Sequence, residues 1–207
     1  AATGVVSLKA GARLDFEADA ADSITVRVTD QTGLTVDQTF DIKVADVNEA
    51  PTGATMSGGV IAENSAAGTV VGTVTGTDAD AGDKLSYQIV GGDADKYEID
   101  ASTGVVSVKE GAKLDHETDS ADSITVRVTD QDGLAVDQTF DIKVADVNEA
   151  PTGAVMKGGV IAENSAAGTV VGTVAGTDAD AATRSAIRSS AATPTNTRST
   201  PRPAWCR

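Results

Sequence analysis

The chain has 207 residues, 40% of them hydrophobic but only 3% aromatic, and carries a formal net charge of -15. That acidity argues against nucleic acid or an anionic membrane surface as the main partner, and no apolar run is long enough for a transmembrane helix. Acidic chains of this kind are either disordered or balanced by cations, and the ordered hydrophobic alternation favours the second.

The segment AATGVVSLKAGARLDFE from Ala1 returns, lightly edited, from Ala101, and GGVIAENSAAGTVVGTV from Gly58 returns from Gly158, a period of about 100 residues. A period of that length is one independently folding domain and not a short solenoid repeat. Residues 1–50 read as the second half of a unit, 51–150 as a complete unit and 151–181 as the start of a third. Ala1 falls in mid-unit, so the lack of a leader there says nothing about secretion.

Residues 182–207 break the pattern. The acids vanish and ATRSAIRSSAATPTNTRSTPRPAWCR holds the only Trp (Trp205), the only Cys (Cys206) and five Arg; without it the charge would be -20 in place of -15. One inserted nucleotide before a suitable coding sequence turns this tail into GDTLSYQIV and onward, against GDKLSYQIV from Gly82. The tail therefore reads as the next repeat in the wrong frame. The repeat itself has no cysteine, so neither disulfides nor thiol chemistry can stiffen it.

Within the complete unit, Val70 and Val74 mark an early strand, and Leu85, Tyr87 and Ile89 alternate in another. Ile99, and then Val106 with Val108, mark two more. Ile124, Val126 and Val128 alternate with Thr125, Arg127 and Thr129, and Phe140, Ile142 and Val144 with Asp141, Lys143 and Ala145. Such period-2 runs have one core face and one wet face. Ser102-Thr103-Gly104 and Gln131-Asp132-Gly133 are predicted as tight turns with Gly at positive φ. About seven strands and no long helix make an all-β sandwich.

Acidic clusters recur at fixed places: Glu63 in AEN, Asp78 and Asp80 in TDADAG, Asp115 and Glu117 in LDHE, Asp130 in VTDQDG, and Asp146, Asn148 and Glu149 in DVNEAP. A hard cation such as Ca²⁺ takes six to eight oxygens at about 2.3–2.6 Å, and packed carboxylates without one would repel. An EF-hand does not fit, because the closing Glu counted from Asp78 would fall on Ile89. His116, the single histidine, has Phe16 as its counterpart, which argues against a shared catalytic role. Gly91-Gly92-Asp93 occurs once and reads as a turn. With one His there is no Ser/His/Asp set or tri-histidine cluster, and no enzyme is expected.

AEN, DAD, LDHE, the Asp of VTD and DVNEAP, in that order, resemble the cadherin repeat over residues 1–181. The resemblance implies tandem Ig-like Greek-key β-sandwiches with calcium at the junctions between consecutive domains. It implies that Asp15, Glu17, Asp46, Asn48 and Glu49 act with Asp78, Asp80 and Asp130 at one junction, and that Glu63, Asp115, Glu117, Asp146, Asn148 and Glu149 join Asp178 and Asp180 at the next, the carbonyls of Val47 and Val147 contributing. The linker departs from the D-x-N-D-N-x-P pattern, with Glu for the second Asp and Pro one residue sooner, and is more similar to bacterial cadherin-like repeats. The expected function is a calcium-binding adhesion and spacer module of a large extracellular protein, outer-membrane-anchored or secreted. Its expected partners are calcium, adjacent repeats of the same chain, and a cell-surface protein or polysaccharide. A carbohydrate-binding accessory module and a passive spacer are the alternatives.

Overall fold

Residues 4–180, which the computed structural model describes, form twelve strands and no helix. Residues 182–207, with Trp205 and Cys206, whose sequence reads as out of frame, lie outside them. The chain separates into two bodies, one ending at Val147 and one beginning at Asn148.

In the first body, β1 (Ala21–Thr29) and β2 (Thr35–Lys43) form a two-stranded antiparallel sheet. The complete unit follows with β3 (Gly53–Gly58), β4 (Val60–Ala62), β5 (Val70–Thr77), β6 (Ser86–Gly92), β7 (Tyr97–Ile99), β8 (Val105–Val108), β9 (Ala121–Thr129) and β10 (Ala135–Ala145). Its strands make two four-stranded sheets, ordered β4-β10-β9-β6 and β3-β5-β8-β7. The second body contains β11 (Gly153–Gly158) paired with β12 (Gly172–Thr177).

The inward faces are those the alternation predicts. Ile124, Val126, Val128 and Ile142 are each 0% exposed, and they pack with Ile61, Val71, Val74, Tyr97, Val106, Val108, Leu114 and Val144 into one core. Each fully buried Val or Ile contributes about 1.5–3 kcal/mol, so these side chains hold the two sheets face to face. Phe140, Leu85, Tyr87 and Ile89 are only partly buried against that core. The last three lie on or beside β6, at the rim of its sheet.

Two details differ from the sequence reading. The unit has eight strands where about seven are expected, because its first strand is broken: β3 pairs antiparallel with β5 in one sheet, and β4 pairs parallel with β10 in the other. Gly58 (φ 97°) and Gly59 (φ 86°) make the crossing, a conformation other residues rarely adopt. In β5 the buried pair is Val71 and Val74, whereas Val70, expected with Val74, is 59% exposed. A bulge between Val70 and Gly72 inserts one residue and reverses the parity of the strand.

A charged network reaches inside the sandwich. Asp122, 1% exposed, accepts the Tyr97 hydroxyl at 2.6 Å and a short ion pair from Lys96. Lys96 also lies 3.7 Å from Asp93 and 3.6 Å from Asp119. Pairing of this kind is what a carboxylate withdrawn from water requires.

Candidate metal centre

The turn after β9 begins at Asp130, which is 5% exposed. Its Oδ1 accepts the amides of Asp132 (2.9 Å) and Leu134 (2.8 Å), the local bonding that makes Asp a turn former. Its Oδ2 accepts the side-chain amide of Asn48 at 2.9 Å, and Asn48 also donates to the Glu49 carbonyl at 3.0 Å. The Glu49 amide in turn donates to Asp80 Oδ2 at 2.9 Å. The DVNEAP linker is thus clasped by two carboxylates of the unit that follows it.

This clasp leaves oxygens over. Asp78, Asp83 and Asp130 each place a carboxylate oxygen within 4.8 Å of the other two, and Glu17, Glu49 and Asp80 do the same. Asp78 Oδ2 and Asp83 Oδ2 are buried and accept no hydrogen bond. A cleft of about 580 Å³ lies alongside, with Glu17, Asp46, Asn48, Asp80 and Asp83 in its lining. Desolvation, then Glu17, Asp80, Asp46 and Asp15, hold the Glu49 carboxyl above its ordinary range. Desolvation, then Asp80, Asp78, Asp130 and Asp132, do the same to Asp83. Asp130 is pushed the other way, mainly by the Asn48 bond.

At the other end of the complete unit stands Glu63, 3% exposed. Its two oxygens accept the amides of Val147 (2.7 Å) and His116 (2.8 Å), which hold its carboxyl below the usual range. Glu63, Asp115 and Glu117 can share one ion, and so can His116, Glu117 and Asp146. His116 Nδ1 lies 2.8 Å from the Val144 carbonyl, to which it donates, and this bond raises the imidazole pKa. In the second body the linker geometry repeats: Asn148 donates to the Glu149 carbonyl (2.9 Å) and the Glu149 amide to Asp180 Oδ2 (2.7 Å). Asp180 is 7% exposed, and its Oδ1 is buried without a hydrogen bond. Asp178 lies two residues earlier, in the place Asp78 has in the preceding unit.

The structure therefore gathers Glu17, Asn48, Glu49, Asp78, Asp80 and Asp130 at one place, with Asp15 and Asp46 close enough to act on Glu49 electrostatically. Glu63, Asp115, Glu117 and Asp146 gather at another. The sequence reading passes over Asp83, although it follows TDADAG directly and its Oδ1 also accepts Gln131 at 2.6 Å. The donors are almost all carboxylate and amide oxygens, the set a hard cation selects over Zn²⁺ or copper.

The two-sheet sandwich and its acidic linkers have counterparts among known proteins. The cadherin domain family matches residues 58–145, and the complete unit is a cadherin domain. Human protocadherin Fat 1 is 35% identical over 159 residues, covering 72% of this chain and 3% of that protein. Human cadherin-related family member 2 is 29% identical over 155 residues, covering 70% and 12%. The solved extracellular cadherin domains 1–4 of protocadherin gamma B7 superpose with a TM-score of 0.61 at 25% identity, over 80% of this chain and 42% of that one. The chain thus spans a small part of the curated relatives it matches. Both curated relatives are human and lend nothing to the bacterial origin read from the linker.

Proposed function

We propose that this chain is part of an extracellular cadherin-type rod in which calcium bound at the linkers holds consecutive repeats rigid. One observation carries this reading: Asp78 and Asp83 each hold a buried, unbonded oxygen, and their carboxylates gather within 4.8 Å of that of Asp130, to which Asn48 of the linker donates. Asp15, Glu17, Asp46, Asn48, Glu49, Asp78, Asp80, Asp83 and Asp130 are the ligand set of the first linker. Glu63, Asp115, Glu117 and Asp146, and Asn148, Glu149, Asp178 and Asp180, are those of the next. Calcium supplies the positive charge these carboxylates lack, and weak sites of the extracellular kind, about 10⁻⁴–10⁻³ M, fill where calcium is millimolar. The role is structural and adhesive, not enzymatic. A polysaccharide-binding role finds less support, since Tyr97, one of the two tyrosines, is buried at 1% exposure and cannot stack on a sugar.

Thermal unfolding in millimolar calcium and again in chelator tests this reading. A ligand that binds only the folded state raises its stability in proportion to the logarithm of its concentration. A melting temperature that climbs with calcium, and ceases to climb in Asp80→Ala with Asp130→Ala, is the expected result. An identical melt in both buffers would overturn it.

A further inference from the structure

The acidic set that gathers around Glu63 differs from its counterpart in one donor. His116 stands between Asp115 and Glu117, where the preceding unit has Phe16 between Asp15 and Glu17. It is the single histidine of the chain. Glu17, Glu49 and Asp80 bring together oxygen alone, whereas a ring nitrogen of His116 and carboxylate oxygens of Glu117 and Asp146 all lie within 4.8 Å of one another.

Two hydrogen bonds fix this imidazole in place. The buried Glu63 carboxylate accepts the His116 amide at 2.8 Å and so anchors its backbone. The Val144 carbonyl, on β10, lies 2.8 Å from Nδ1. A carbonyl can only accept, so the proton sits on Nδ1 and the neutral ring keeps its lone pair on Nε2. A metal-binding histidine almost always donates its other ring N–H in this way, which sets the tautomer and orients the ring. His116 is partly buried, while Glu117 and Asp146 are exposed. An ion that bonds its donors at about 2.0–2.2 Å draws them closer than they stand here, and the two side chains that must close on it are the ones at the surface.

Nitrogen changes which ions such a cluster prefers. Ca²⁺ is hard and takes oxygen donors, to which an imidazole adds little. Zn²⁺ binds imidazole nitrogen and carboxylate oxygen together, and three protein donors leave its fourth position to water. The oxygen-only cluster of the first linker has no such preference.

We propose that His116, Glu117 and Asp146 form a site for a borderline divalent ion such as Zn²⁺, and that Phe16 denies the same site to the preceding unit. The site shares Glu117 and Asp146 with the calcium set proposed above but does not rest on that reading, since ligation by the imidazole needs no calcium. Where calcium does use these two carboxylates, zinc takes them from it, and the linker after this unit answers to a second ion that the linker before it ignores.

Calorimetric titration with zinc tests the proposal on the untagged full chain, freed of calcium and carrying Cys206→Ser so that no thiol competes. Titration at about pH 8 keeps the solution above the ordinary imidazole pKa. His116→Phe should weaken the strongest zinc site by at least the roughly 10–100-fold that follows when a metal site loses a supporting partner. Glu117→Gln and Asp146→Asn should each weaken it as well. Phe is the residue the preceding unit carries at this place, and the melting transition in metal-free buffer checks that the variant is folded. A second readout leaves His116 intact: in nitrogen-15 spectra of the single histidine, zinc should shift Nε2 and leave Nδ1 protonated. Zinc affinity unchanged by His116→Phe, or ring resonances that zinc leaves unmoved, would each overturn the proposal.

Discussion

The Glu63 carboxylate accepts the Val147 amide at 2.7 Å, joining the end of β4 to the linker 84 positions further along. Its other oxygen accepts His116 N, so one side chain pins three separate segments before any cation arrives. Glu63→Ala should therefore lower the melting temperature in chelator as well as in calcium, because it strands two backbone donors. Glu117→Ala should shrink the rise in melting temperature that calcium produces, measured as the difference between the two buffers. Melting curves of both variants in both buffers separate the structural role from the ligand role.

Asp83 gives effects of opposite sign. Its carboxyl is held above the ordinary range by desolvation and by Asp80, Asp78, Asp130 and Asp132, so its charge destabilises the ion-free state. Asp83→Asn keeps an acceptor for Gln131 and removes that charge. The variant should melt higher than wild type in chelator and need several-fold more calcium for half-saturation, measured by calcium titration of the melt. A variant with unchanged calcium demand would remove Asp83 from the ligand set.

The Lys96, Tyr97 and Asp122 network predicts behaviour at high pH. Burial, then Asp122, raise the Tyr97 pKa far above its ordinary value. Burial opposes the charge of Lys96, but Asp122, Asp93 and Asp119 outweigh it and raise that group too. Groups whose folded-state pKa is raised contribute stability that is complete below their unfolded values, near pH 10, and is lost as pH climbs beyond them. Absorbance at the tyrosinate band should show Tyr97 ionising only together with unfolding. Tyr97→Phe should cost about 2 kcal/mol, a fall in melting temperature on the order of 10 °C for a unit of this size.

Two turn glycines, both at positive φ, should differ sharply. Gly104 has φ 69°, and a Cβ there would lie 2.1 Å from the Val74 carbonyl; at Gly133, φ 93°, a Cβ would meet nothing within 4 Å. Gly133→Ala should cost about 1–2 kcal/mol, the conformational term alone. Gly104→Ala adds a backbone clash in the core, and its chemical-denaturation midpoint should fall well below that of Gly133→Ala.

The long strands were legible because β9 and β10 alternate cleanly, and both turns carry the glycine they need. The bulge at Val70 was not, since two adjacent valines fit either face until the pairing with β8 is known. The broken first strand was hidden for a similar reason: Gly58-Gly59 signals a turn but not that the next three residues change sheets. At the candidate metal centre the paired acids stood out by their spacing, whereas Asp83 stands apart from such a pair. Asp122 sits in SADSITVRV and looks like a wet strand end; nothing local announces that Lys96 and Tyr97 arrive from 26 and 25 residues away to bury it.

The parallel pairing of β4 with β10 also fixes how the unit answers a pull. Tension applied through the two linkers draws these neighbours along each other, so their bonds, with Lys143 N to Gly59 O and Glu63 N to Ala145 O on either side, are loaded in shear and must fail together. An antiparallel hairpin pulled at its open end would instead unzip one bond at a time. Stretched in a force spectrometer, each repeat should hold as a clamp and then release in a single step. A rod made of such units is a tether whose resistance resides within its links as well as at its joints.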